Sequence, residues 1–162
     1  MPFEDILMQL NIDKKYHEGI KDHYGKITSQ NKKLIKLNPY VNYTLDWLRE
    51  NFIKTGIVTS KDKARTLELV EYFQLNVEIL VTPELTKFGK PSPDPILLAA
   101  NNLELNTNEI IFVGDMESDM RCALNANCNY LHYKNGYQYL YYQMYGGEIT
   151  SIIELIEYIK NS

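Results

Sequence analysis

From Ile53 onward, short β-rich runs alternate with stretches of helical spacing, and that alternation admits few folds. Ile53-Lys54-Thr55-Gly56-Ile57-Val58-Thr59 is a β-rich run that ends in hydroxyls, and Val77-Glu78-Ile79-Leu80-Val81 is a second. Glu109-Ile110-Ile111-Phe112-Val113 is a third, continuously apolar in its last four residues, and Asn129-Tyr130-Leu131-His132-Tyr133 a short fourth. Between them the spacing predicts helices over 61–74, 95–102 and 120–127. An Ile-rich amphipathic helix over 148–160 closes the chain. Strands separated by helices predict an α/β fold, a three-layer arrangement in which a parallel sheet is covered on both faces. In such sheets ligands bind beyond the carboxyl ends of the strands. Those ends are where chemistry is sought.

The first third reads differently. Residues 3–37 have helical spacing, interrupted near Asn11-Ile12-Asp13, and a second helical stripe of Val41, Leu45 and Leu48 comes after the turn at Asn38-Pro39. The 162 residues suit one domain with a small appendage. A net charge of −4 argues against a nucleic-acid partner, which favours clustered Lys and Arg. No run approaches the roughly 18 apolar residues of a membrane span, and the N-terminus shows no secretory pattern. Two cysteines, Cys122 and Cys128, are too few for a disulfide scaffold. A cytoplasmic protein is the expectation.

Three segments carry candidate chemistry. The third strand runs into Val113-Gly114-Asp115-Met116-Glu117-Ser118-Asp119. Asp115 and Asp119, four apart at a strand's carboxyl end, can together hold a hard cation such as Mg²⁺. The plainer reading is a helix N-terminus capped by its own acids. Thr59-Ser60 ends the first strand just before a helix, where a hydroxyl and free N–H groups can grip a phosphate oxygen. There the plainer reading is that Ser60 caps the helix. Lys90 sits in Phe88-Gly89-Lys90-Pro91-Ser92-Pro93-Asp94-Pro95, a loop stiffened by proline, with Asp94-Pro95 read as an N-cap followed by proline at the first helical position. Such a lysine suits the neutralising of a phosphate or carboxylate, and it is equally an ordinary solvated loop residue.

Taken in order, hydroxyls after an apolar strand, then Lys-Pro-Ser-Pro-Asp-Pro, then strand-Val-Gly-Asp-x-x-x-Asp, the chain resembles the haloacid dehalogenase-like superfamily of hydrolases. The likeness is to the phosphoglycolate phosphatase-like branch, and it runs from Pro39 to the end of the chain, including Gly136-Tyr137 and the closing Ile-rich helix. The resemblance implies a Rossmann-like sheet and a Mg²⁺-dependent phosphatase acting on a small phosphorylated metabolite. It places the phosphate-binding hydroxyl at Thr59 and the charge-balancing lysine at Lys90. It places Mg²⁺ at Asp115 and Asp119. Ser60 joins Thr59 and Lys90 around the phosphate, at a position where the family often has Asn. Residues 1–37 resemble the later part of a mobile helical cap, and 38–162 a core without its first strand.

One departure is large. The family's nucleophile lies in an hhhhDxDGT motif, and no such pattern occurs in these 162 residues. Asp13, after Ile6-Leu7-Met8-Gln9-Leu10-Asn11-Ile12, is the nearest candidate, but Lys14 and Lys15 come next instead of a second Asp and a Gly-Thr turn. The expectation is a chain that binds phosphate and is inactive alone, because nothing replaces an attacking carboxylate. A non-catalytic phosphate-binding or regulatory module, or one half of a two-chain enzyme, is the alternative. In the family the nucleophile strand lies between the strands ending at Thr59 and Val113. Its absence should leave a slot, closed by its flanking strands or filled by a complementing segment or a second copy. His17, His23 and His132 have no metal-ligand spacing with the cysteines. The Tyr137, Tyr139, Tyr141, Tyr142 and Tyr145 cluster reads as packing or a subunit contact.

Overall fold

The computed structural model describes residues 3–134 and 146–161. The tyrosine cluster of 137–145 and Gly136-Tyr137 lie outside the described residues. Helices α1 (Phe3–Gln9) and α2 (His17–Gln30) lead into α3 (Val41–Glu50). Strands β1 (Gly56–Val58) and β2 (Ile79–Val81) flank α4 (Lys63–Tyr72). Helix α5 (Asp94–Leu103) precedes β3 (Ile111–Gly114), α6 (Glu117–Asn125) and β4 (Asn129–Tyr133). The chain continues through β5 (Gly147–Ile149) to α7 (Glu154–Lys160).

The strands form two separate parallel sheets, β1–β2 and β3–β4–β5. Phe112 pairs with Tyr130 and Val113 with Leu131 across β3 and β4. Because side chains alternate along a strand, these pairs face opposite layers. Tyr130 and Phe112 pack with Ile96, Met120, Cys122 and Ala123 beneath α5 and α6. Leu131, Ile111 and Val113 pack with Leu48, Ile149 and Leu155 beneath α3 and α7. That is the expected three-layer order.

The region between β1 and β3 is a cleft of about 590 Å³. Gly56 and Val58 line it from β1, and Ile111, Phe112 and Val113 from β3. Ile96, Ala99 and Leu103 of α5 wall it on one side, and Leu45 and Leu48 of α3 with Leu155 and Ile159 of α7 add further apolar surface. Thr59 N–H donates to Val81 O, so the preceding residue, Val58, turns its own N–H and C=O away from β2. The flanking strands therefore do not close on each other.

Several boundaries depart from expectation. Residues 148 and 149 lie in a strand rather than in the first turn of the closing helix, because Gly147, Glu148 and Ile149 pair with Leu131, His132 and Tyr133. Helix α7 starts at Glu154, whose carboxylate accepts from Thr150 Oγ1 and Ser151 N. Helix α4 is capped by Asp62, which accepts from Arg65 N at 2.9 Å, and not by Ser60. Helix α5 begins one residue early, with Pro93 at the cap and Asp94 already helical. No helix among the described residues is long and apolar enough to cross a membrane.

Candidate functional site

The carboxyl ends of β1 and β3 meet at Lys90. Its ammonium is 2.7 Å from Asp119 Oδ1, and it reaches the Val58 carbonyl at a long 3.4 Å. The pair is nearly dry, with the Lys90 side chain 12% exposed and that of Asp119 6%. Lys90 is thus no solvated loop residue. Its loop is anchored just after it, by Cys122 Sγ donating to Ser92 O and by Asn125 Nδ2 donating to Pro91 O. Asp94 accepts from Ser92 Oγ at 2.9 Å within the same loop.

Asp119 has two duties. Its Oδ2 accepts from Met116 N–H at 3.1 Å, tying down the first turn of α6, while Oδ1 faces Lys90. The approach is close enough that only glycine fits at position 114. A Cβ there would sit 2.5 Å from Asp119 Cβ and 2.7 Å from Oδ2. Asp115 comes directly after it, half-buried at the end of β3. Tyr130 registers both carboxylates, since its hydroxyl is pushed far up from the usual phenol range by burial first and then by the charges of Asp119 and Asp115. That hydroxyl donates to Gly114 O at 2.9 Å and lies 3.0 Å from His132 Nδ1. A buried Tyr130–His132 pair therefore props the acidic loop from below.

Thr59, Ser60 and Lys90 line one cavity of about 210 Å³. Thr59 Oγ1 accepts from Lys61 N–H at 3.1 Å, which leaves its own proton to donate elsewhere. Ser60 is exposed, and with Lys90 and Ser118 it lines a second cavity of about 730 Å³. Asp13 stands apart on a 3-10 turn, exposed and paired with Lys15 at 3.2 Å. His17 Nε2 meets Ile12 O at 2.8 Å, and Cys122 and Cys128 are free thiols buried under the sheet.

The donor chemistry suits a hard cation. Asp115 and Asp119 offer carboxylate oxygen at one strand end, and Mg²⁺ is commonly held by one or two carboxylates with waters and substrate phosphate. Among the described residues no group of three or more His, Cys, Asp or Glu gathers into a fuller cage. The larger cavity adds residues that motif reading missed: Lys21, Arg65 and Lys87. Arg65 is legible in sequence only as the partner of Asp62 three residues earlier on a helix. Nothing in that spacing says that it faces Ser60 and Lys90 across a pocket.

The family described as haloacid dehalogenase-like hydrolase matches residues 1–132. A phosphoglycolate phosphatase of Salmonella typhi is 27% identical over 138 residues, which are 82% of this chain and 49% of that protein. The phosphoglycolate phosphatase of Escherichia coli K12 is 28% identical over 123 residues, 72% of this chain and 46% of the other. The chain spans about half the length of the curated relatives it matches. Among solved structures, a HAD phosphatase from Thermococcus onnurineus superposes with a TM-score of 0.77 at 24% identity, covering 98% of this chain and 70% of the other. A family IA, variant 3 HAD hydrolase from Entamoeba histolytica gives 0.79 at 21% identity, with 99% and 79% covered.

Proposed function

The chain belongs to the haloacid dehalogenase-like hydrolase family, and from that premise we propose that it forms the phosphate-handling part of a Mg²⁺-dependent phosphatase acting on a small phosphomonoester. The observation that carries the reading is Lys90, held dry between Asp119 and the end of β1 with Thr59 and Ser60 in the same cavity. A phosphoryl group seated there meets an ammonium and the Thr59 hydroxyl, whose proton is free to donate to a phosphate oxygen. Both groups oppose the negative charge of the transferring phosphoryl group in a site screened from water. Ser60 adds a hydroxyl at the open side. Asp115 and Asp119 would hold the Mg²⁺, which when bound neutralises phosphate charge as a Lewis acid.

Hydrolysis of the family's kind needs a carboxylate that attacks phosphorus, displaces the alcohol and leaves an acyl phosphate for water to cleave. Asp119 is engaged by Lys90 and Met116, and Asp13 is exposed on a turn. We assign the attacking group to an extended segment seated in the cleft between β1 and β3. Such a segment joins the two sheets through the strand edges that line the cleft, and its carboxyl end falls beside Lys90. Residues 1–37 in this reading belong to a cap, and 38–162 to the core that receives the added strand. A second copy of the chain is the other occupant we consider for the cleft.

A non-catalytic phosphate-binding module is the second reading, favoured by the lack of any Asp-x-Asp-Gly-Thr pattern in these residues. Calorimetry with orthophosphate in excess Mg²⁺ tests what both readings share. Binding by the wild type, weakened at least tenfold in Thr59→Ala and in Lys90→Met, is the expected result. Equal binding by all three proteins would place the phosphate elsewhere. Turnover after a strand peptide is supplied separates the enzyme from the module.

A further inference from the structure

Two polar side chains lie in the core directly beneath the acidic loop. Tyr130 is 2% exposed and His132 3%, and both project from the same face of β4 because they are two residues apart. Burying a phenol and an imidazole is tolerated only when their polar atoms are paired. Here the pairing leads to one carbonyl. The Tyr130 hydroxyl donates to Gly114 O at 2.9 Å and lies 3.0 Å from His132 Nδ1. A carbonyl can only accept, and a hydroxyl has one proton to give. With that proton on the Gly114 side, the contact to His132 is a hydrogen bond only when Nδ1 carries a proton and donates it. The donors therefore run one way, from His132 through Tyr130 to the end of β3.

Gly114 precedes Asp115, and the peptide unit between them is planar. Holding the Gly114 oxygen therefore holds the plane that contains the Asp115 N–H and Cα. The other carboxylate is held within the loop itself. Asp119 Oδ2 accepts from Met116 N–H at 3.1 Å, and a Cβ at position 114 would lie 2.5 Å from Asp119 Cβ. Asp115 and Asp119 are thus fixed relative to each other, one through the core below and one through the first turn of α6.

We propose that the Tyr130–His132 pair positions the Asp115–Asp119 loop for Mg²⁺ and makes the site discriminate against a larger cation such as Ca²⁺. The inference rests on the metal site proposed above, and it adds two positioning residues and a selectivity. Mg²⁺ takes near-octahedral oxygen at about 2.0–2.1 Å, whereas Ca²⁺ takes oxygen at about 2.3–2.6 Å in a looser arrangement. Carboxylates that cannot spread favour the smaller ion. Once Tyr130 releases it, the Gly114–Asp115 peptide can turn, and the larger ion then loses less than the smaller one.

Titration of the isotope-labelled full chain with MgCl₂ and, separately, with CaCl₂ tests this, read from the NMR amide signals of Asp115 and Met116. Tyr130→Phe keeps the ring and removes only the donor. His132→Leu removes the donor behind it, and His132→Asn restores an N–H close to the Nδ1 position. Mg²⁺ affinity about tenfold weaker in Tyr130→Phe and His132→Leu, with the ratio of Mg²⁺ to Ca²⁺ affinity lowered about fivefold, is the expected result. His132→Asn should keep the wild-type ratio. A ratio unchanged in Tyr130→Phe and His132→Leu makes the pair a packing feature, and overturns the inference while leaving the metal site standing. Absence of any metal-induced shift in the wild type, or shifts that persist in Asp115→Asn, overturns the metal site and this inference with it. Proton–nitrogen spectra of the wild-type imidazole supply a check that needs no variant to fold. They should show a proton on His132 Nδ1, and a neutral ring protonated only at Nε2 breaks the run of donors and overturns the inference.

Discussion

The two sheets of this protein are built from similar sequence and differ in how their strands are covered. In the larger one, β4 is paired on both edges, and Tyr130, Leu131 and His132 are buried in succession. In the smaller one, β1 has β2 on one edge and the cleft on the other, with Gly56 exposed and Ile57 and Val58 half-buried. Both are short, parallel and rich in aliphatic residues. The difference is that β4 has neighbours on every side and β1 faces a cleft. Labour is divided accordingly: the larger sheet carries the most buried strand, while both sheets end in candidate site residues, Asp115 and Asp119 beyond β3 and Thr59 and Ser60 beyond β1. Lys90 joins them, because its ammonium touches Asp119 beyond β3 and Val58 at the end of β1.

The largest effect expected from breaking that joint is thermodynamic. Lys90→Met leaves the buried Asp119 carboxylate without its cation and should cost roughly 3–5 kcal/mol in urea unfolding. Adding Asp119→Asn should recover much of that loss, since both charges are then gone. A cost below about 1 kcal/mol for the single variant would mean that water already reaches the pair. Next in size is the contrast between the sheets themselves. Leu131→Ala, 1% exposed in the larger sheet, should cost about 3 kcal/mol, whereas the half-buried Ile57→Ala in β1 should cost nearer 1 kcal/mol. Equal costs would erase the division of labour.

A smaller effect arises at alkaline pH, and it belongs to the larger sheet alone. Burial pushes the thiols of Cys122 and Cys128 from an ordinary value near 9 up to about 11, with Lys90 opposing the shift at Cys122. A raised thiol pKa means that the folded state holds its proton longer than the unfolded chain does. The stability is therefore complete below pH 9 and is lost as pH rises through about 11. Each thiol contributes on the order of 2 kcal/mol to that slope. Unfolding midpoints measured from pH 8 to 10.5 should fall, and less steeply in Cys128→Ala; a flat profile would refute the assignment. Smallest is Tyr130→Phe, which removes the donor to Gly114 O and the partner of His132. It should cost about 1–2 kcal/mol and loosen the acidic loop.

Much of this architecture is legible in the sequence, and the rest is hidden for identifiable reasons. The continuous apolar run of 110–113, half-buried between helices on both faces, declares β3, and Gly114-Asp115 declares its carboxyl end. The helical stripe over 148–160 overreaches because Ile149, Ile152 and Ile153 fit a helix equally well. Pairing of Gly147–Ile149 with β4 decides the first of them for a strand, and local pattern carries no information about that partner. Ser60 reads as a cap because hydroxyls favour that position. Asp62 takes the role through a bond to Arg65 N, following a turn in which Thr59 Oγ1 accepts from Lys61 N. The Arg65 pocket is not legible at all, since it depends on Tyr24, some forty residues away, packing against α4.

We propose that this chain holds the phosphate while an added strand supplies the attacking carboxylate. The most direct test is hydrolysis of p-nitrophenyl phosphate in excess Mg²⁺ by the purified chain, with and without a peptide of five or six aliphatic residues ending in Asp-x-Asp-Gly-Thr. No measurable turnover from the chain alone, and Mg²⁺-dependent turnover when the peptide is present, lost again in Asp115→Asn, is the expected result. Turnover of about one per second by the chain alone, abolished by Asp13→Asn, would contradict that proposal and make Asp13 the nucleophile.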